Sequence, residues 1–228
     1  MYYKVALERI SKVILLPKFI FILRQPLDRA YSHYLMSKYR GYETLPFIDA
    51  LSMENSRIKN DKNHFSFSHH SYINRSKYSD QLKSFHIIFK NPQCLYIKFD
   101  TLFDITTRES QIKKIYEFIN IEYLENVINY TKSYNVSREH RSKFIMDIIY
   151  KKSKFNFLIK TIIPNKHIRG KIRNFIEIIN SKKISKELIF NRRNDLINNI
   201  PLKYKKWNNI EVARIEKITK LKLNNWKI

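Results

Sequence analysis

Apolar side chains at Val5, Leu7, Ile10, Val13 and Ile14 recur at helical spacing until Leu16-Pro17 ends the run. Phe19-Ile20-Phe21-Ile22-Leu23 is a continuous apolar stretch bounded by charge. That is the pattern of a central strand in a parallel sheet covered on both faces. Pro26 fits the first position of a new helix, which is expected to run to Lys38. Pro46 opens a second helix from Phe47 to Ile58, with Phe47, Ile48, Leu51 and Met53 as its inward positions. Residues 59–75 are polar and irregular, which predicts a long loop of the kind that lines a site. Lys77 to Phe89 is helical, with Tyr78, Leu82, Phe85 and Phe89 on one side, and Asn91-Pro92 stops it. Cys94 to Phe99 reads as a second strand and Arg108 to Asn120 as another helix. The alternation of strands and helices predicts an α/β sheet. From Ser137 onward the pattern predicts basic helices and no strand, punctuated by Pro164 and Pro201. The expected organisation is an α/β domain over residues 1–136 with a basic helical extension over 137–228.

Composition supports a folded chain: 43% of its 228 residues are hydrophobic and 14% aromatic. The charge is lopsided. Of the 44 Lys and Arg and 20 Asp and Glu, residues 151–228 hold 21 basic and 5 acidic side chains. A chain at +24 attracts polyanions: nucleic acid, anionic lipid, acidic glycan or nucleotide phosphates. Charge alone does not choose among them, and lysine-rich solvated helix faces give the same count. Cys94 is the single cysteine, so no internal disulfide forms, which suits a reducing compartment. The apolar run from Val13 to Leu23 is too short to span a bilayer, and Arg24-Gln25-Pro26 follows it instead of a small-residue cleavage site. A cytoplasmic protein, or one peripheral to the inner membrane, is the expectation.

The segment from Lys18 to Tyr34 carries the chemistry. A strand delivers Arg24 at its carboxyl end, and a proline-initiated helix then presents Ser32 about two turns in. Ligands of open α/β sheets bind at the carboxyl ends of strands. A helix N-terminus there favours an anion, a guanidinium offers a fork matched to phosphate oxygens, and a hydroxyl donates one more bond. This predicts a phosphate site that needs no glycine.

The pattern Arg24-Gln-Pro26-Leu-Asp-Arg29-Ala30-Tyr-Ser32 resembles the 3′-phosphate-binding segment of sulfotransferases. The resemblance implies that Arg24 and Ser32 hold the 3′-phosphate of the donor, 3′-phosphoadenosine 5′-phosphosulfate (PAPS). Gly41 to Phe47 with Ala50, Leu51 and Glu54 is similar to the helix that follows in bacterial sulfotransferases of the heparan-sulfate type. Ser76 to Leu82 resembles their Y-x-x-Q-L helix, and Leu95 to Leu102 resembles a strand that usually ends in Glu-Asp-Leu. Here Asp100 and Thr101 replace those acids. Ile218 to Trp226 looks like the family's C-terminal end. The implied fold is a P-loop-type parallel sheet covered by helices. The implied activity is transfer of a sulfuryl group from PAPS to a hydroxyl or amine of a carbohydrate-type acceptor, without a metal.

In that family a glycine-containing loop after the first strand binds the 5′-phosphosulfate, and in the heparan-sulfate type the base also lies upstream. Only 23 residues precede Arg24 and none is a glycine; neither Gly41 nor Gly170 carries the loop's pattern. The expectation is therefore a chain lacking the first strand, the phosphate loop and the base, with an exposed strand edge and low solubility. A truncated gene product and an inactive pseudoenzyme both fit. A basic protein binding nucleic acid or a membrane surface is the alternative of another class, although no nucleic-acid-binding motif is present.

Four further features are weighed. Tyr78 and Arg138 are secondary contact candidates. Tyr78 lies at core spacing with Leu82 and Phe85. Arg138, in Ser137-Arg138-Glu139-His140, resembles a Ser-Arg segment of bacterial relatives and would close over nucleotide or acceptor, while the same stretch also reads as a capped helix start. His64, His69 and His70 read as solvated loop histidines, with no cysteine or well-spaced carboxylate to complete a metal site. Phe155, Phe157, Leu158, Ile162 and Ile163 among Lys151, Lys152, Lys154 and Lys160 would suit an interfacial helix, or equally one packed on the sheet domain.

Overall fold

The computed structural model describes residues 2–14, 17–124, 138–142, 144–145, 148, 159 and 161–228. In chain order the elements begin with α1 (Lys4–Val13) and β1 (Lys18–Leu23), followed by α2 (Pro26–Tyr39), α3 (Phe47–Lys59) and the short α4 (Phe65–His69). A 3-10 turn (Asn74–Ser76) leads into α5 (Tyr78–Ile88), β2 (Gln93–Lys98), α6 (Phe99–Phe103) and α7 (Arg108–Ile119). The remainder is β3 (Arg138–His140), α8 (Lys166–Ile179), β4 (Ser181–Lys183), α9 (Lys186–Asn199) and α10 (Leu202–Thr219), with a closing 3-10 turn (Asn224–Trp226).

Local chemistry sets the boundaries. Pro26 and Pro46 stand at the starts of α2 and α3, where a missing N–H costs nothing. Gly41, at φ 70°, takes the left-handed turn that follows α2. Asn120 does the same after α7 at φ 60°. Asn165 caps α8, its side chain accepting from the N–H groups of His167 and Ile168, and Ser185 caps α9 through Leu188 N–H.

The chain divides into two compact units, each assembled from separated segments. The first comprises Met1–Arg29, Ile73–Lys132 and Pro201–Ile228; the second comprises Ala30–Tyr72 and Ser133–Ile200.

In the first unit β1 pairs in parallel with β2, from Lys18 opposite Gln93 to Leu23 opposite Lys98. Alternate β1 residues enter two apolar clusters. Phe19 and Phe21 pack with Leu7, Phe85 and Phe89, while Leu23 joins Val212, Ile215, Leu223 and Trp226. Edge-to-face contacts of Phe19 with Phe85 (4.6 Å) and Phe89 (4.7 Å) fix that face. The other face of β1 differs from the sequence expectation of a strand covered on both sides: Ile20 and Ile22 are 36% and 50% exposed. A solid apolar run suggests burial on both faces, yet only alternate positions of it are packed here.

The second unit is organised around aromatic rings and one carboxylate. Tyr31, Tyr34 and Phe47 meet at centroid distances of 5.1–6.1 Å, over buried Ala50, Leu51 and Tyr72. Glu43, whose side chain is fully buried, accepts from both Arg57 nitrogens (2.5 and 3.2 Å), from the Tyr72 hydroxyl (2.8 Å) and from the Thr44 and Leu45 N–H groups (2.9 Å each). Burial alone would raise this carboxyl, but Arg57, Leu45 N–H and Tyr72 together hold it below its ordinary value.

Two corrections follow for the region read as loop and for the tail. Within residues 59–75 the Asp61 carboxylate accepts the N–H groups of Asn63, Phe65 and Phe67, which winds α4 out of a polar stretch. His70 is buried there and not solvated: its ring nitrogens lie 3.0 Å from Ser66 Oγ and from the Tyr42 carbonyl. In the tail, β3 and β4 form an antiparallel pair that the helical reading missed. Buried Asn180 supports it, with its side chain bonded to both the N–H and the carbonyl of Ser142. Three-residue strands are too short to show a period of two, so the sequence carried no signal for them. The interfacial stretch around Phe155, Phe157 and Leu158 lies outside the described residues.

Two outcomes are expected. An apolar strand face open to solvent promotes association. The Ile20→Thr, Ile22→Thr double variant, which keeps β-branched side chains, should therefore raise the monomer fraction in light scattering at matched concentration; unchanged scattering contradicts this. Arg57→Ala strands the Glu43 charge and should cost about 3 kcal/mol in urea unfolding at neutral pH. Because Glu43's pKa is lowered on folding, its contribution is present above the unfolded value of 4.5 and fades as pH falls through the folded value. The penalty of Arg57→Ala should shrink accordingly in acid, and a pH-independent penalty would oppose the assignment.

Candidate functional site

Leu23, the last residue of β1, is 1% exposed and anchors the strand end. Arg24 emerges immediately after it with its side chain 30% exposed. Its guanidinium carbon lies 5.0 Å over the Phe99 ring, at the start of α6. The Asp28 carboxylate is 3.8 Å from Arg24 Nε, within ion-pair range but beyond a hydrogen bond. Arg24 is thus oriented by a ring and steered by a carboxylate, with its side chain partly exposed.

The helix that follows does not offer its N-terminus to a ligand, which corrects the sequence expectation. Pro26 has no N–H. The Leu27 N–H faces Asn208 Oδ1 at 3.4 Å, and the Asp28 N–H donates to Gln25 Oε1 at 2.6 Å. The Arg29 N–H bonds the Gln25 carbonyl at 2.9 Å. With the first-turn donors engaged inside the protein and Asp28 already complementing the helix dipole, an anion at this junction must be met by side chains.

A buried polar network holds the junction in place. Asn208 Nδ2 donates to the Trp226 carbonyl (2.9 Å), and Gln25 Nε2 reaches the same oxygen at 3.3 Å. The Trp226 indole N–H donates to Asp100 Oδ2 (2.9 Å), so this residue, standing where the resembled family has other acids, clamps the C-terminal turn. Nearby, Glu211 on α10 is 2% exposed. It accepts the Ser79 N–H (2.7 Å) and hydroxyl (2.8 Å), capping α5 from another element. Burial pushes the Glu211 carboxyl up, and the two Ser79 bonds only partly oppose this.

The candidates from sequence fall as follows. Tyr78 packs against the cluster of Leu23, Val212 and Ile215. Burial raises its phenol, while the charge of Arg29, the Arg24 N–H and the charge of Arg24 pull the other way, so its hydroxyl end faces the arginines. Arg29 itself lies 3.5 Å from buried Ser76 Oγ. Arg24 and Tyr78 therefore come together in the first unit. Ser32 is exposed in the second turn of α2 and belongs to the second unit. Arg138 opens β3 and not a helix, and its side chain lies outside the described residues.

Sequence reasoning missed Gln25, Asn208 and Trp226 as the supports of the β1–α2 junction, and Glu211 as the cap of α5. A signal existed for two of them. Tyr204, Asn208, Glu211, Val212, Ile215 and Thr219 are the buried face of α10, and polar residues at core spacing announce partners waiting inside. Asn208→Ala removes the partner of the Leu27 N–H and one of the Trp226 carbonyl. It should lower stability by about 2 kcal/mol in thermal or urea unfolding; an unchanged midpoint would show that the network does not hold the junction.

The comparisons with known proteins agree with this architecture. No curated protein matches the chain. Among solved structures it is similar to a sulfotransferase from Alicyclobacillus acidocaldarius, with a TM-score of 0.57 and 17% identity over 99% of this chain. The chain spans 63% of the length of that protein, and at this identity the likeness shows a shared fold. The sulfotransferase domain family matches residues 7–220, nearly the whole sequence. The chain belongs to the sulfotransferase domain family.

Proposed function

We propose that this chain is the 3′-phosphate-binding portion of a sulfotransferase that moves a sulfuryl group from PAPS to a hydroxyl or amine of a carbohydrate-type acceptor. The observation that carries the reading is Arg24: a guanidinium at the carboxyl end of a parallel strand, its side chain 30% exposed, held over Phe99 and only loosely paired with Asp28. Family membership supplies the reaction class, and the match of Arg24 and Ser32 to the R-x-P-x-x-R-A-x-S pattern supplies their roles.

Sulfuryl transfer requires in-line placement of acceptor and leaving group and neutralisation of charge on the leaving oxygen. A 3′-phosphate lies away from the reacting sulfur, so the cation that grips it acts by positioning. Arg24 would provide charge-assisted bonds to two phosphate oxygens and Ser32 a single hydroxyl donor. Because the first-turn N–H groups of α2 are engaged internally, these side chains carry the recognition. Support for an acidic or sulfated glycan as acceptor is the net charge of +24 together with the likeness of residues 41–54 and 76–82 to enzymes of the heparan-sulfate type. Tyr78, with its hydroxyl end toward Arg24, would line the nucleotide side of the site. A pseudoenzyme that keeps the nucleotide site without turnover differs from this reading in activity, not in binding.

Isothermal titration with adenosine 3′,5′-bisphosphate and with adenosine 5′-phosphate separates the roles. Arg24→Ala should weaken the bisphosphate by about 10- to 100-fold and leave the monophosphate nearly unchanged. Equal losses for both ligands would remove the assignment of Arg24 to the 3′-phosphate.

A further inference from the structure

Helix α8 has no buried residue along its 14 positions. Ile168, Ile172, Phe175 and Ile179 recur at helical spacing and therefore share one face. They are 49%, 40%, 64% and 56% exposed. Toward the helix end the stripe runs on into a hollow of about 480 Å³ that Ile176 and Ile179 line with Ile145 and Arg141.

The charge around this stripe is mostly positive; Glu177, the one acid on α8, falls on the face opposite the stripe by helical spacing. From Ile148 to Ile176 the sequence contains eight Lys and Arg and no Asp or Glu. On α8 itself Lys166, Lys171 and Arg173 are exposed. By helical spacing Lys171 and Arg169 border the apolar stripe on its two sides. Arg169 also donates to the carbonyls of Ile163 (2.6 Å) and Pro164 (2.7 Å), which fixes the start of the helix to the preceding turn.

The two halves of this pattern select different occupants when taken alone. A nucleic acid or sulfated glycan would be met by the cations, but it has no use for a row of isoleucines around a phenylalanine. An apolar protein groove would be met by the row, but it does not call for eight cations against a single anion. A surface that is negatively charged above and hydrocarbon below satisfies both. We infer that α8 docks in the plane of an anionic membrane surface. Ile168, Ile172, Phe175 and Ile179 enter the acyl boundary, and Lys166, Lys171 and Arg173 lie at the headgroups. Fourteen residues of helix extend only about 21 Å, which suits lying on a bilayer, and among the described residues no helix is long and apolar enough to cross one. This inference is independent of the nucleotide site.

The test is flotation of the full chain with vesicles of phosphatidylcholine alone and of phosphatidylcholine mixed with phosphatidylserine, at low and high salt. The chain should float with the mixed vesicles at low salt and remain in solution with the neutral ones. Phe175→Glu should abolish flotation, and Lys171→Gln with Arg173→Gln should weaken partitioning by about fivefold for each cation removed. Far-UV circular dichroism and melting should match the parent in each case, since every altered side chain is exposed. Failure of the parent to float with the mixed vesicles overturns the inference. So does flotation that Phe175→Glu leaves intact while soluble heparin competes it away, which assigns the surface to a polyanion. Loss of a concentration-dependent dimer in Phe175→Glu, with no vesicle binding by the parent, gives the face to a second copy and likewise overturns it.

Discussion

A buried amide anchors the junction of β1 and α2. Asn208 reaches from α10 to the first turn of α2 and to the carbonyl of Trp226, while Trp226 reaches back to Asp100 beyond β2. Strand, helix and chain end are thereby tied by hydrogen bonds away from water, where an unmade bond is costly. Arg24 stands at the centre of this arrangement and is itself only lightly constrained. The physical division is plain: the surroundings spend their polar groups on one another so that one guanidinium does not have to.

This division explains why the α2 terminus behaves differently from a generic anion site. A helix start is attractive to phosphate when its N–H groups are free. Here Gln25 and Asn208 occupy them and Asp28 offsets the dipole. On the proposed reading, recognition of the 3′-phosphate would rest on side chains whose reach and number of donors are fixed, which would favour a doubly charged phosphate ester over anions in general.

Much of the first unit was legible in the sequence because its signals are local. Aromatic and β-branched runs marked β1 and β2, and Pro26, Pro46 and Asn91-Pro92 punctuated the helices. The family pattern around Arg24 was legible for the same reason, being contiguous. What stayed hidden depends on distant partners. Gln25 looked like a spacer between Arg24 and Pro26, and its role appears only when Trp226, 201 positions on, is beside it. Burial of His70 depends on Tyr42 and Ser66, and β3 with β4 depends on pairing between residues 41 to 45 apart. The strand reading of Phe19 to Leu23 was right in place and wrong in coverage, since a solid apolar run looks the same whether one face or both are packed.

The charge of the chain divides in the same way between local and global causes. Around Arg24 single cations are matched to rings and carboxylates, whereas the sequence from 148 to 176 contains eight Lys and Arg and no Asp or Glu. The first arrangement suits recognition of one small ligand and the second suits an extended anionic surface. The account as a whole stands or falls with the first. A crystal structure of the chain with adenosine 3′,5′-bisphosphate tests it most directly. The account predicts the 3′-phosphate against the guanidinium of Arg24, above Phe99. A nucleotide bound elsewhere, with Arg24 still turned toward Asp28 and solvent, would contradict it.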